Sequence, residues 1–329
     1  MRYWWVNQNR TFQFEVPGGY MWSPKINRNN SINHFYETMR EVAIRDFVFS
    51  YNETKIMAMG SAVSPAYTCP KPKDFGVTGA NWNDIGWRVD VNFRFLKNQI
   101  SPKAHMSLLR QFLPEKYSPI RADGIGNQMY LAEIPESLAH ALIALIGGEA
   151  EAILLNAKRE AGARENQDPY ASKEVSILSE WDEVQINKVK GDMSLRETEK
   201  DQVIKARKGQ GLFRKRVAQI ERWCRVTRVE RSEHLIASHI KPWRVSTNTD
   251  RLDGENGLFL TPTVDHLFGN GYISFKNDGA IIVSPVADRT SLHKMGLSAE
   301  GALNVGAFTR QQSNFLEYHR DSILLKARV

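Results

Sequence analysis

The stretch EHLIASHIKPWRVSTNTDRLDGENGLFLTPTVDHLFGNGYISF, residues 233–275, decides the fold of the C-terminal part of this chain of 329 residues. Its apolar run up to His239 predicts a half-buried strand, which ends before Pro242 because proline cannot continue a central ladder. A polar loop then closes on Asn256-Gly257, and Leu258-Phe259-Leu260 predicts a second short strand. The sequence therefore places His239 at an exposed strand end.

The residues after the second strand predict a short helix that carries the second histidine. Its signals are a threonine that can cap the helix, a glycine that can end it, and Asp265-His266 between them. A neutral imidazole accepts a proton from water near pH 7, and a second imidazole can hold a divalent metal against a phosphate oxygen. The pattern thus favours phosphate chemistry, with His239 as general base and His266 as metal ligand.

In order, spacing and the HIKPW and DHLF strings, this segment resembles the HNH nucleases, which have the ββα-metal fold. The resemblance implies that His239, Asn256 and His266 are the catalytic residues and that each site holds one divalent metal, Mg²⁺ or Mn²⁺. Many HNH nucleases carry an aspartate metal ligand directly before the first histidine, where this chain has Ser238. Ser238 itself, Asp265 or the amide oxygen of Asn256 are the candidates for the missing oxygen ligand.

Positive charge is concentrated just before and within this segment. Residues 204–244 contain twelve Lys and Arg but three Glu, an excess of nine charges, whereas the whole chain carries +7. Such density neutralises backbone phosphates and makes binding fall with salt. The residues expected on the DNA backbone are Arg207, Arg214, Lys215, Lys241 and Arg244.

The N-terminal residues differ in composition, because five of the eight tryptophans fall within residues 1–148. Runs typical of strands alternate there with helical ones, which predicts an α+β unit in which strands curl into a small β-barrel with flanking helices. The expected strands are Tyr3–Asn7, Asp46–Tyr51, Ile56–Val63 and Trp87–Phe95, and the expected helices are Phe35–Glu41, Pro102–Leu113 and Ser137–Leu145.

The strings YWWVNQN, GGYMWSP and NWNDIGWRVDVNF make this part resemble the EVE domain of the PUA-like superfamily, which also contains the YTH readers of methylated RNA. The resemblance implies a pocket for a flipped, modified base lined by Trp22, Trp82 and Trp87. Aromatic faces stack on a base regardless of its hydrogen-bonding edge. Asn7, after the first strand, is positioned to read that edge with its amide.

The two resemblances together predict three regions: an EVE reader at 1–148, a helical linker at 149–195, and an HNH nuclease at 196–329 with its core at 232–285. This pairing resembles the bacterial EVE–HNH modification-dependent restriction endonucleases, which cut double-stranded DNA bearing modified cytosine. The alternatives are a modified-base binding protein, including one for N6-methyladenine or RNA, whose nuclease has decayed, and a non-selective HNH nuclease.

Composition also limits the stabilising elements and the cellular compartment that are expected for the protein. Its two cysteines are too few for a disulfide framework or for zinc knuckles that brace a nuclease core. The N-terminus contains no apolar run long enough for a signal peptide, and no stretch is typical of a membrane span, so a bacterial cytoplasmic protein is expected. One HNH motif cuts one strand, which predicts a homodimer.

Overall fold

The computed structural model describes residues 1–26, 33–163, 169–297 and 303–326. The chain divides into two compact units, Met1–Ser176 and Ile177–Ala327. Strands and helices are mixed in both units, which confirms the predicted α+β class. Within the described part of the chain, no helix has the length and apolar character needed to cross a membrane.

The first unit is built on one seven-stranded sheet in the order β2-β6-β4-β3-β1-β7, with β5 also paired to β6. Its strands are β1 (Tyr3–Asn7), β2 (Tyr20–Pro24), β3 (Phe47–Asn52), β4 (Lys55–Ala62), β5 (Tyr67–Pro70), β6 (Ile85–Ile100) and β7 (Leu131–Ile134). The long strand β6 pairs with β2 and β5 through its first half and with β4 through its second. The sheet is therefore a curled half-barrel, whose end strands β2 and β7 do not pair with each other in the described residues.

Helices cover this sheet where its strands are apolar on both faces. They are α1 (Phe12–Gly18), α2 (His34–Glu37), α3 (Met106–Leu109), α4 (Glu136–Ile146) and α5 (Gly148–Ala163). On β1, Trp5 joins the core formed with α4, whereas Trp4 faces the other side and donates its indole N–H to Asp46 (2.9 Å). The predicted helix Pro102–Leu113 is instead a series of short 3₁₀ and α turns around α3.

The segment predicted as a linker is divided between the two units. Helix α5 belongs to the first unit, because Ala150 is buried in its core and the Glu149 carboxylate accepts from the backbone N–H groups of Lys97 and Asn98. Helix α6 (Pro169–Lys190) continues into the second unit, where Trp181 is buried.

The second unit places two small antiparallel hairpins among short helices. Its elements are α7 (Glu197–Ala206), α8 (Gly211–Val217), β8 (Ile236–His239), α9 (Asn248–Leu252), β9 (Gly257–Leu260), α10 (Pro262–Gly269), β10 (Ile273–Phe275), β11 (Ile281–Val283), α11 (Arg289–Lys294) and α12 (Arg310–Ser322). Strand β8 pairs with β9, and α10 follows β9 directly, as the sequence predicted. One apolar core joins α7 and α8 to this hairpin and to α10.

Candidate active site and nucleic-acid interface

His239 ends strand β8 and lies directly opposite Gly257, the first residue of β9. Its imidazole is stacked flat on the ring of Phe213 from α8, with centroids 3.8 Å apart and planes at 2°. A Cβ on Gly257 would lie 2.4 Å from Val217 Cγ2 and 2.9 Å from Phe213 Cζ. The absence of a side chain at this position therefore lets α8 pack closely against β9. The φ of Gly257 is −139°, so close approach, and not a turn, requires this glycine.

The protonation state of His239 follows from its surroundings. Its Nε2 lies 3.0 Å from the carbonyl oxygen of Arg251. A carbonyl only accepts, so Nε2 carries the proton and the Nδ1 lone pair of the neutral ring is left to take a proton. Burial lowers the pKa of His239 to about 4, and the nearby Arg251 charge acts in the same direction. The imidazole is therefore a neutral acceptor across the physiological range.

Asn256 is fully buried, and its amide closes the loop between the two strands. The amide oxygen accepts from the backbone N–H of Lys241 (2.8 Å), and the amide nitrogen donates to the carbonyls of Lys241 (3.2 Å) and Asp250 (3.1 Å). A buried oxygen committed to a backbone donor is not available to a metal, so the expected ligand role of Asn256 is not supported. It positions the loop that carries the Arg251 carbonyl to His239.

The helix α10 presents Asp265, not His266, to the end of strand β8 that carries His239. The Asp265 side chain is hydrogen-bonded to Ser238, the neighbour of His239, and burial raises its pKa. His266 is exposed, and its Nδ1 lies 3.2 Å from Asn270 Nδ2. Adjacent helix positions diverge by about 100°, which separates the two side chains.

The donor set at this strand end is small. In the described residues, no three His, Cys, Asp or Glu side chains converge on one possible metal position. Mg²⁺ usually keeps several waters and is held by one or two carboxylates together with substrate phosphates. Asp265 with the Ser238 hydroxyl beside it fits such a site, in which the substrate supplies further oxygens.

Three of the five cations expected on the DNA backbone are engaged in ion pairs within the unit. Arg207 and Arg244 share the buried carboxylate of Asp182, at 2.9 and 3.1 Å. Lys241 pairs with Asp250 at 2.7 Å. These ion pairs hold α6, α7 and the loop after β8 together. The positive charge of the three side chains is therefore balanced by carboxylates within the protein.

A fourth expected cation, Arg214, is also used inside the protein. Its guanidinium donates to the carbonyl oxygens of Leu235 (2.9 Å) and Ser232 (2.7 Å) and lies over the ring of Phe259. Lys215, the fifth, is exposed and forms no ion pair or hydrogen bond within the described residues. A count of basic residues therefore overstates the charge available to DNA.

In the first unit, Trp22 is almost fully buried, at 1% exposure, in an aromatic cluster. Its ring lies against the backbone of Gly86, where a Cβ would be 2.4 Å from it, and meets Phe75 edge-on at 5.7 Å. Trp82 is partly exposed and lies 6.1 Å from Trp22 with planes at 42°. Its indole N–H donates to the Tyr36 hydroxyl. The structure thus brings Trp22 and Trp82 together.

Trp87 lies on the other face of the sheet. In the pairing of β2 with β6, Trp87 is opposite Ser23, one residue from Trp22, and neighbouring strand residues point to opposite faces. The Trp87 indole N–H donates to Glu37 (3.2 Å), and the Lys25 ammonium lies 3.7 Å from its ring centroid. A single cage of all three predicted tryptophans is therefore not formed.

Asn7 is linked to Trp22 through Tyr130. The Asn7 backbone N–H donates to the Tyr130 carbonyl (2.7 Å), and the Trp22 backbone N–H donates to the Tyr130 hydroxyl (2.8 Å). The Asn7 amide nitrogen donates to the Asn127 carbonyl (2.8 Å), while its buried oxygen has no hydrogen-bond partner among the described residues.

Sequence reasoning missed two residues that shape these sites. Phe213 supports the imidazole of His239, and the sequence signal for it is its apolar position in GLFRKRV before the hairpin. Glu15 is fully buried and accepts from the backbone N–H of Trp22 (2.6 Å) and from the Tyr130 hydroxyl (2.5 Å). Burial raises the pKa of Glu15 to about 7. A lone glutamate in a short helix gives no sequence signal for that role.

Comparison with known proteins identifies the hairpin segment. Residues 224–276 match the family model described as HNH endonuclease. A search of curated proteins returned no match.

Three solved structures are similar to part of the chain, and each similarity is distant. The Pho92 YTH domain in complex with m6A shows 15% identity and a TM-score of 0.31, over 44% of this chain and 85% of that one. A protein from Pseudomonas syringae shows 13% identity and a TM-score of 0.29, over 44% and 99% of the two chains. ASCH from Zymomonas mobilis shows 7% identity and a TM-score of 0.28, over 44% and 95%.

Proposed function

We propose that this protein is a divalent-metal-dependent DNA endonuclease that acts on DNA carrying modified cytosine, as a type IV-like restriction enzyme of the bacterial cytoplasm. The observation that carries the nuclease part is the state of His239, a neutral imidazole at a strand end with Nε2 committed to the Arg251 carbonyl. An imidazole fixed in this tautomer directs its Nδ1 lone pair to one place, as a general base requires.

The residues of the hairpin and helix divide the work of phosphodiester hydrolysis. His239 takes the proton of the attacking water, Phe213 and the Arg251 carbonyl hold its ring, and Asn256 holds the loop that supplies that carbonyl. Asp265 and Ser238 are proposed to hold the metal, whereas His266, exposed at the neighbouring helix position, is not assigned to it. A bound divalent ion would neutralise charge on the scissile phosphate and its leaving oxygen.

The reading of the modified base is assigned to the cluster around Trp82. Stacking a base between two rings requires about 7 Å between parallel planes, twice an atomic contact distance of about 3.5 Å. Trp22 and Trp82 are 6.1 Å apart and tilted, so Trp82, the partly exposed ring, is the wall that must move. The Asn7 amide oxygen, buried and unpartnered in the described residues, suits the exocyclic amine of cytosine.

The direct test is digestion of matched plasmids that carry no modification, 5-methylcytosine, 5-hydroxymethylcytosine or N6-methyladenine, each with Mg²⁺ or Mn²⁺. We expect cleavage of the cytosine-modified plasmids only. Equal cutting of all plasmids would indicate a non-selective nuclease, and selective binding without cutting would indicate a reader with a decayed nuclease, the alternative that Ser238 favours. Each hairpin cuts one strand, so we propose that linear product comes from a homodimer.

The reader assignment is tested by replacing Trp82 with alanine. Base stacking on an aromatic ring is worth about 1–3 kcal/mol, so Trp82→Ala should weaken binding to modified duplex by about fivefold to 150-fold and leave binding to unmodified duplex unchanged. Trp82→Phe, which keeps an aromatic face, is the control and should retain most of the preference. An unchanged affinity ratio in Trp82→Ala, measured by competition binding, would place the pocket elsewhere.

A further inference from the structure

The loop from Arg222 to Val229, just before the catalytic hairpin, is fixed at its base and exposed at its tip. Cys224 is fully buried in the core of the second unit. Its backbone N–H donates to the Val229 carbonyl (2.9 Å), and the Arg228 N–H donates back to the Cys224 carbonyl (2.7 Å). The loop therefore presents its side chains from a rigid frame.

Two exposed arginines of this loop lie over one tryptophan. The Arg222 guanidinium is 5.4 Å and that of Arg228 is 6.0 Å from the Trp223 ring centroid. Neither guanidinium forms an ion pair with a carboxylate in the described part of the chain, in contrast to Arg225 between them, which pairs with Glu221. An indole that orients a guanidinium leaves its N–H donors free for a phosphate.

The backbone of Arg228 adds an independent observation. Its φ is +60°, in the left-handed region that glycine adopts without strain and other residues adopt at a cost. An arginine occupies this position at a conformational cost, and its side chain lies over Trp223. Strain of this kind points to a function of the side chain.

A groove next to this loop connects it to the helix that supports the general base. Its volume is about 580 Å³, and Arg222, Lys215 and Phe259 are among its lining residues. Lys215 is two residues from Phe213 on α8, whose ring stacks on His239. Glu230 also lines the groove, without an ion pair to Arg222 within 4 Å in the described residues.

We propose that Arg222, Trp223 and Arg228 form a contact site for the phosphate backbone of duplex DNA, continued along the groove by Lys215. Four of the five cations that the sequence predicted on the DNA backbone form ion pairs or hydrogen bonds within the protein. The guanidiniums of Arg222 and Arg228 are exposed and form no ion pair with a carboxylate in the described residues. The inference rests on the proposed nuclease function, because a duplex that is cut in the second unit must also be held there.

The experiment is a salt titration of binding to a short unmodified duplex, so that base reading plays no part. Each lost phosphate contact lowers the slope of log affinity against log salt by about 0.9. Arg222→Gln and Arg228→Gly should each lower the slope by that amount, and the double variant by about 1.8. Lys294→Gln, which removes an exposed cation of α11, is the matched control and should keep the wild-type slope.

Arg228→Gly separates this role from a structural one, because glycine relieves the backbone strain at φ +60°. We expect it to melt no lower than the wild type and yet to bind DNA with a reduced salt slope. Wild-type slopes in both arginine variants, with the wild type itself binding DNA, would overturn the proposed contact site alone. Absence of salt-dependent binding by the wild type would instead overturn the proposed function.

Discussion

Each unit holds a titratable group at its candidate site, the half-buried His239 and the fully buried Glu15, and burial moves their pKa values in opposite directions. The pKa of His239 falls to about 4 in the second unit, whereas the pKa of Glu15 rises to about 7 in the first. Burial disfavours the charged form, which is the protonated imidazole in one case and the carboxylate in the other. The same physical cause thus keeps the imidazole neutral at physiological pH and gives a carboxyl group that titrates near neutral pH.

The consequences differ because the two groups have different partners. His239 has one hydrogen bond, from Nε2 to a carbonyl, which fixes the tautomer of the neutral ring and leaves the Nδ1 lone pair to accept a proton. Glu15 accepts from the Trp22 backbone, the Tyr130 hydroxyl and the Thr11 hydroxyl, so its carboxylate holds the strand of the aromatic cluster. In the proposed function, the first group serves the chemistry and the second serves the shape of the base pocket.

The largest expected effect is the loss of the proton acceptor. His239→Ala should lower the single-turnover cleavage rate by about 10²–10⁴-fold, the usual contribution of a general base, while duplex binding stays intact. His234→Ala removes an exposed histidine five residues earlier and should cut at the wild-type rate. Near-normal cleavage by purified His239→Ala would mean that the imidazole is only structural.

The next effect is on the stability of the first unit. The folded pKa of Glu15 is raised, so the folded protein holds a proton that the unfolded chain releases above about pH 4.5. Its contribution to stability is complete below that pH and is lost as pH rises through about 7, by up to about 3 kcal/mol. Urea unfolding followed by tryptophan fluorescence measures this loss.

Two variants complete that test. Glu15→Gln stays neutral and should remove this part of the pH dependence, whereas Glu151→Gln, on an exposed position of α5, should keep it. If Glu15→Gln follows the wild-type pH profile, then the three donors around the carboxylate outweigh its burial and Glu15 is ionised in the folded protein.

The smallest effect concerns the ring that buries His239. With a pKa of about 4, His239 is deprotonated at pH 5.5, so the wild-type cleavage rate should not fall there on its account. Phe213→Leu exposes the imidazole and moves its pKa towards the ordinary value of about 6.5, at which the rate at pH 5.5 falls by about tenfold. The rate at pH 8 should be unchanged.

The pH profile of single-turnover cleavage measures this shift. Phe259→Leu makes the same change in an aromatic ring of β9, on the partner strand, and should leave the acid limb in place. The stacking explanation fails if Phe213→Leu and Phe259→Leu show the same acid limb.

Much of the local structure was readable in the sequence. The hairpin β8–β9, the helix α10 and four of the seven strands of the first sheet follow from apolar periodicity, from Pro242 and from glycine-rich turns. Local patterns report local geometry, because strand and helix periods depend on neighbours a few residues away. For the same reason His239 could be placed at a strand end from sequence.

Contacts distant in sequence were not readable, and they changed the interpretation of particular residues. Arg207 and Arg244 counted as DNA-binding charges until the fold placed Asp182 between them. Trp22 and Trp87 differ by the face of the sheet on which they lie, which depends on the register of β2 with β6. Gly257 looked like part of a turn, but Phe213 and Val217 explain it.

The sequence by itself determined that the chain carries a histidine-ended hairpin followed by a helix, a separate tryptophan-rich α+β part and a strongly basic stretch between them. Only the tertiary structure decided which histidine nitrogen is left to accept a proton, which carboxylate stands at the strand end and which cations stay exposed. The reason is physical: protonation, burial and charge pairing depend on the groups that surround a side chain in space, and those groups come from distant parts of the chain.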